Sequence, residues 1–283
     1  MNTYYRQLME YKGAQELQEH VRRWEILSEN LSRRFLDAPI VLPDLFMYTP
    51  RGYGNTNLLS LMAEYLSSKG NLMSFYGDVK FFEFRFEYCP EGRDFREIYR
   101  FIEAVNNAAG FRNEFKGIIR ISVDEWVGHH KEDNFLDFLE FLQLNTDYWM
   151  IILTVSDEKE NEETKAMEAV ISMYLRLETV ALHMQTDEEL ADFAVGHFEK
   201  YGLKLDEGAK KVIEGSIAEL KKNKYFGGLR TVQSLCNDIV YSVYSESTDI
   251  SRVITADMLS DFGPDSEYIK RTFTRIKTAR LGF

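Results

Sequence analysis

The chain has 283 residues, 45% of them hydrophobic, and a formal net charge of -12 with a pI near 5.0. That length and apolar content can bury a sizeable core, in one large domain or two smaller ones. The acidic balance argues against an extended nucleic-acid footprint, since no excess of Lys and Arg is available for phosphates; only a local basic patch stays open. The two cysteines, Cys89 and Cys236, give no disulfide framework and suit a reducing compartment. Met1 to Arg6 carries no apolar signal core, and no run approaches membrane-spanning length, so a cytoplasmic chain without a membrane partner is expected.

Gln15 to Leu31 places Leu17, Val21, Trp24, Leu27 and Leu31 at helical spacing with charges between them, which predicts an amphipathic helix. Leu45 to Tyr48 is an apolar run that reads as a buried strand. Asn57 to Leu66, with Leu58, Leu59, Leu61, Met62 and Leu66, reads as a second amphipathic helix. Between the two stands Thr49-Pro50-Arg51-Gly52-Tyr53-Gly54-Asn55-Thr56. Strand, glycine-rich turn and helix form the setting of a phosphate-binding loop, where close-set N–H groups and a helix N-terminus converge on phosphate oxygens. Gly52, Tyr53, Gly54, Asn55, Thr56 and Asn57 are the candidate nucleotide-binding residues, and the Thr56 hydroxyl is a candidate magnesium ligand. Asn55 stands where a lysine should reach the β- and γ-phosphates. The layout is kept and its main charge is lost.

After its first two residues, Lys80 to Tyr88 alternates: Phe82, Phe84, Phe86 and Tyr88 face one way, while Glu83, Arg85 and Glu87 face the other, as in a half-exposed edge strand. Phe95 to Ala109 is helical. Gly117 to Val123 and Trp149 to Val155 are apolar, β-branched runs that suit strands covered on both faces. Phe135, Phe138, Leu139 and Leu142 lie at helical spacing between them, and Thr179 to Met184 is a candidate last strand. Strands alternating with helices predict an open, mostly parallel α/β sheet. From Asp187 the pattern turns helical: Asp187 to Tyr201, Asp206 to Leu220, Leu229 to Tyr244, and a short helix opened by Thr255. A boundary near Thr186 is expected, giving an α/β core over 1–186 and a helical lid over 187–283.

The strand Ile118 to Val123 ends in Asp124-Glu125. In phosphate-loop NTPases the first acid at this position holds magnesium and the second polarises the attacking water. The carboxyl end of a strand sets both beside the phosphate loop, at the crevice of the sheet. An apolar run closing in a solvated acidic turn is common by itself; its place downstream of a phosphate-type loop gives it weight.

On these residues the chain resembles the AAA+ ATPase family, from about Gly13 to Asp257. Thr49 to Thr56 is similar to the family's G-P-P-G-T-G-K-T, differing at the first glycine and at the lysine, and Val123-Asp124-Glu125 resembles its Walker B. Lys12 to Leu17 is similar to the linker before the core, and the family also places its second strand at the sheet edge. The resemblance implies ATP or ADP with Mg2+ as cofactors, and oligomers with like AAA+ subunits. It implies Asp124 and Thr56 as magnesium ligands, Glu125 as the water-orienting acid, Arg176 in Tyr174-Leu175-Arg176-Leu177 as an arginine finger, and Arg230 after Gly227-Gly228 as sensor 2. Thr154 or Ser156 falls where sensor 1 is expected, but the family prefers Asn there, and a structural role is the better expectation.

A neutral amide at Asn55 keeps a hydrogen bond but not a field, and a single preorganised donor is worth roughly 3 kcal/mol in catalysis. Hydrolysis should therefore be slow and binding weak; Arg51 is expected to point away from the phosphates. The threading loop of protein-translocating members is missing: Tyr88 to Arg93 has no aromatic–apolar–glycine triplet, and Phe75-Tyr76-Gly77 lies before the strand. Cys89 and Cys236 sit in no nucleophile pattern, and His129-His130 reads as a solvated turn. The expected function is a nucleotide-responsive assembly or regulatory subunit with impaired hydrolysis and a protein partner. Two alternatives stay open, an active ATPase that remodels a protein or nucleoprotein, and a structural module that binds no nucleotide. The segment Tyr268 to Phe283 is basic against an acidic chain, which suits a docking helix or a solvated lid helix.

Overall fold

Five apolar runs become the strands β1 (Asp44–Tyr48), β2 (Lys80–Arg85), β3 (Gly117–Ser122), β4 (Trp149–Val155) and β5 (Leu177–Ala181). In a computed structural model they form one sheet in the order β2-β3-β4-β1-β5, with every neighbouring pair parallel. The structure describes residues 2–34, 40–50, 53–70, 72, 79–90, 96–109, 116–144, 149–156, 161–223, 226–246 and 252–278. Arg51 and Gly52 of the loop lie outside the described residues, as do Phe75, Tyr76, Gly77, Glu91, Gly92 and Arg93. The chain divides into two compact units, residues 1–50 with 55–183, and residues 184–283 with Tyr53 and Gly54.

In the first unit β1 is buried along its length, and β3 and β4 nearly so, because helices cover both faces of the sheet. β2 pairs with β3 alone, the edge position that its alternation predicts. Phe82 and Phe84 of β2, with Phe86 just after it, face an aromatic core: Phe86 stacks on Phe138 and Trp126 with ring centroids 3.9 and 4.8 Å apart, and Phe84 meets Phe101 edge-on at 5.1 Å. Each such burial is worth about 2 kcal/mol, and each ring pair about 1 kcal/mol more. The helices α4 (Glu97–Ala109), α5 (Asp133–Gln143) and α6 (Glu162–Ile171) supply the rest of that core.

The helices at the chain start are α1 (Thr3–Met9) and α2 (Gln15–Arg33), and α3 (Asn55–Ser67) follows the loop. α3 lies against β2 and β3, α1 packs on α3, and α2 packs on β5. Gln18 of α2 donates to the carbonyls of Leu8, Met9 and Tyr11, which caps the end of α1 and fixes the first turn of chain. β5 starts two residues ahead of the run read as a strand, so Arg176 immediately precedes it.

The second unit is built on α7 (Asp187–Lys200), α8 (Glu207–Lys221), α9 (Leu229–Glu246) and α10 (Glu267–Thr278). Thr186 and Glu189 form a capping box at the start of α7, and Asp206 caps α8 through the Ala209 N–H at 2.6 Å. The element opened by Thr255 is a 3-10 segment, Ala256–Phe262, and the lid also carries two short strands, β6 (Lys204–Leu205) and β7 (Val253–Ile254), paired in parallel. A two-residue ladder is too short to leave a period in the sequence. No helix among the described residues is long and apolar enough to cross a membrane.

Candidate functional site

The crevice at the carboxyl ends of β1 and β3 is where the sequence placed the site. Gly54 has φ 91°, a left-handed conformation that favours glycine, and it lets the chain turn from the loop directly into α3 at Asn55. Asn55, Thr56 and Asn57 thus form the first turn of a 13-residue helix, whose leading N–H groups and dipole favour an anion. Tyr53 is buried, whereas Thr56 and Asn57 are exposed. The Asn55 Oδ1 atom is buried without a hydrogen-bond partner. The first turn of the helix therefore carries a neutral amide with an unfilled acceptor, opposite in character to an ammonium.

Asp124 and Glu125 open a 3-10 turn directly after β3, anchored by the buried Trp126. Asp124 accepts three hydrogen bonds: from the Ser156 N–H at 2.5 Å, the Ser156 hydroxyl at 3.4 Å and the Ser122 hydroxyl at 2.7 Å. Ser156 thus fixes the first acid from the end of β4. Glu125 accepts from the Tyr88 N–H at 3.0 Å and from the Arg85 guanidinium. The Tyr88 N–H first, and then Arg85, hold its carboxyl below the usual carboxylate range.

Thr56 is engaged elsewhere. Its hydroxyl lies 3.0 Å from both oxygens of Glu83, and Glu83 Oε1 also accepts from Arg120 Nη1 at 2.5 Å. Arg120 Nε donates to the Thr154 hydroxyl at 3.2 Å. Glu83 and Arg120 are direct neighbours in the β2–β3 register, so the pairing follows from strand alignment. The sequence reading passed over Glu83, Arg85 and Arg120 as functional residues. Their signal was present: Arg120 is the lone charge within Ile118-Ile119-Arg120-Ile121, and Glu83 and Arg85 share the polar face of β2.

The remaining candidates stand on other elements. Arg176 is exposed, and its carbonyl accepts from the Asp44 N–H at the amino end of β1, the end opposite the loop. Arg230 is exposed in the first turn of α9, in the second unit, after Gly228 with φ 55°. One expectation is overturned. The turn after the acidic pair is not simply solvated, because His130 is 4% exposed with both ring nitrogens unpartnered. Its neighbour His129 bonds Glu132 at 2.7 Å and lies against the Tyr88 ring. Cys236 is buried, with its thiol pushed up to about 12 by burial, and Cys89 is half-buried.

The donors near the loop, the Thr56 hydroxyl and the Asp124 carboxylate, are hard oxygens of the kind that magnesium takes. Among the described residues no group of three His, Cys, Asp or Glu could hold a metal ion by itself. Magnesium here would therefore have to share phosphate oxygens of a nucleotide. By its chemistry the donor set fits the metal.

The sequence matches no family model and no curated protein. The fold is similar to solved structures of Thermotoga maritima RuvB. To a proline-to-glycine point mutant of that protein the identity is 10% over 84% of this chain and 66% of that one, with a TM-score of 0.52. To the structure titled a Holliday junction branch migration motor it is 12% over 94% of this chain and 78% of that one, with a TM-score of 0.51. The chain thus spans slightly less than two thirds of the first of these. At such identity the likeness establishes the fold alone, an α/β core on a central parallel sheet followed by a helical unit.

Proposed function

We propose that this chain is a nucleotide-responsive assembly or regulatory subunit of AAA+ type in which ATP hydrolysis is impaired. The observation that carries the reading is Asn55 in the first turn of α3, a neutral amide with a buried, unfilled acceptor where an ammonium is needed. Loss of that charge weakens binding and removes roughly 3 kcal/mol or more of transition-state stabilisation. The hold of Arg85 and the Tyr88 N–H on Glu125 supports the same reading, since a carboxylate that accepts two hydrogen bonds is a poor base for water.

In this account the segment Gly52–Asn57 cradles the phosphates of ATP or ADP, and Thr56 and Asp124 bind the Mg2+ that accompanies them. Glu125 orients water in whatever hydrolysis survives. Arg230 is the nucleotide sensor of the lid, and Arg176 acts on the site of a neighbouring subunit in an oligomer. The fold likeness to a structure titled a motor supports a module that handles nucleotide. The retained Thr56 and Asp124-Glu125 argue for a site still in use, against a scaffold that binds none. Calorimetric titration with ATP and ADP, with and without magnesium, tests the proposal. Weak binding without appreciable turnover is expected; fast turnover that disappears in Glu125→Gln would replace it with a working ATPase.

A further inference from the structure

Two donors converge on one carboxylate oxygen at the start of the loop helix. Glu83 Oε1 takes the Thr56 hydroxyl at 3.0 Å and Arg120 Nη1 at 2.5 Å. A hydroxyl, a guanidinium and the positive end of a 13-residue helix make a donor set for an anionic oxygen. In this structure the anion is internal, the side chain of Glu83.

The position of Arg120 gives the arrangement its meaning. Its neighbours Ile119 and Ile121 are fully buried, and its own side chain is 20% exposed. A guanidinium drawn that far out of water is unfavourable unless an anion meets it. Its planar fork suits a phosphate as well as a carboxylate. Glu83 lies on the edge strand with a side chain 36% exposed, so it can leave toward solvent at little cost to packing.

From this geometry we infer that Arg120 is the cation of the nucleotide site in place of the absent lysine, and that Glu83 is an internal competitor for it. The inference rests on the nucleotide-binding reading above. Without nucleotide, Glu83 satisfies Thr56 and Arg120 together. When a polyphosphate binds, Glu83 is displaced, the Thr56 hydroxyl is released and the guanidinium passes to a phosphate oxygen. The site is thereby closed by its own carboxylate, and affinity is set by the exchange of one anion for another.

The test is ATP titration in EDTA and again in magnesium, on the full chain and on Glu83→Gln, Arg120→Gln, the double variant and Asn55→Lys. Glu83→Gln keeps the size and the hydrogen bond while removing the charge, and it should bind ATP at least about tenfold more tightly than the unaltered chain, in both conditions. Arg120→Gln should bind more weakly than the unaltered chain. The double variant, which leaves no unpaired charge, should also lose the gain given by Glu83→Gln, and it covers the case in which Arg120→Gln alone does not fold. Binding by the unaltered chain or by Asn55→Lys, with Glu83→Gln no tighter than the unaltered chain, would overturn this inference and leave the nucleotide reading standing. A gain in Glu83→Gln that persists in the double variant would overturn the role of Arg120. No binding by any of the folded proteins would overturn the nucleotide reading, and this inference with it.

Discussion

Arg85 on the edge strand holds Glu125, the second acid after β3, while the Tyr88 N–H takes the other oxygen of the same carboxylate at 3.0 Å. Glu125 is thus tied to the edge strand and to the segment just after it. In the Asn55→Lys background, where the loop charge is restored, Arg85→Ala should raise ATP turnover several-fold by freeing Glu125. Adding Glu125→Gln should abolish the gain, which also controls for contaminating ATPases. Turnover that is unchanged by Arg85→Ala would mean that this contact does not restrain the acid.

The edge strand depends on one glycine. A Cβ at Gly117 would lie 2.1 Å from the Lys80 carbonyl oxygen, in the backbone of β2, and Gly117 has φ 157°. Gly117→Ala should therefore cost at least about 3 kcal/mol, because neither backbone can yield without breaking the ladder. Urea unfolding measures the loss, and hydrogen exchange should report faster opening in Lys80–Arg85. A variant as stable as the unaltered chain would mean that β2 and β3 do not approach as described.

Asp44, at the amino end of β1, is 5% exposed, and burial raises its carboxyl to about 7 although the Ile151 N–H donates to it at 2.7 Å. The folded state thus binds a proton between the unfolded value near 4 and the folded value near 7 that the unfolded state has released. The contribution of Asp44 is fully favourable below the unfolded value and is lost as pH rises through the folded one, a difference on the order of 4 kcal/mol. Asp44→Asn keeps the acceptor for Ile151 and cannot ionise. Its melting temperature should match the unaltered chain near pH 4 and exceed it above pH 7, and a constant difference across that range would refute the shift.

The basic C-terminal segment calls for a finer test than truncation. Ile269 of α10 is 1% exposed in the lid core, and the Tyr268 hydroxyl bonds Asp238. Cutting after Gly263 would cost about 2 kcal/mol of lid packing from Ile269 alone, whatever the segment binds. Replacing the exposed Lys270 and Arg271 by Gln leaves that packing in place. If the segment docks on an acidic face, the double substitution should lower the oligomeric state or weaken partner capture at low salt, and added salt should do the same to the unaltered chain. Identical sedimentation and unchanged capture would leave α10 a solvated lid helix.

Much of the fold was legible because long elements carry long periods. The alternation of Lys80 to Tyr88 identified an edge strand, and the apolar runs of β3 and β4 identified covered ones. The helix α1 has seven residues and β6 has two, too few for a period to stand out. At the site, the loop and the acidic pair were readable as contiguous motifs. The partners that hold them were not, because Glu83 meets Thr56 and Arg120 only through strand register, and Arg85 meets Glu125 only at the rim of the sheet. Arg120 was overlooked because a single charge in an apolar run counts for little in a strand pattern, though its desolvation cost marks it as a residue with a purpose. His130 was misread for a related reason, since a His-His pair in a turn looks solvated until Trp126 anchors that turn in the core.

On the function proposed above, the Asn55 loop still faces phosphate, with the lysine charge missing. Calorimetric titration of ATP against the full chain and Asn55→Lys, in magnesium and with folding checked by circular dichroism, tests it most directly. Weak binding by the unaltered chain and a clear gain in Asn55→Lys are expected, because an ammonium is returned to a helix N-terminus that favours an anion. A folded Asn55→Lys protein with no gain in affinity would contradict it.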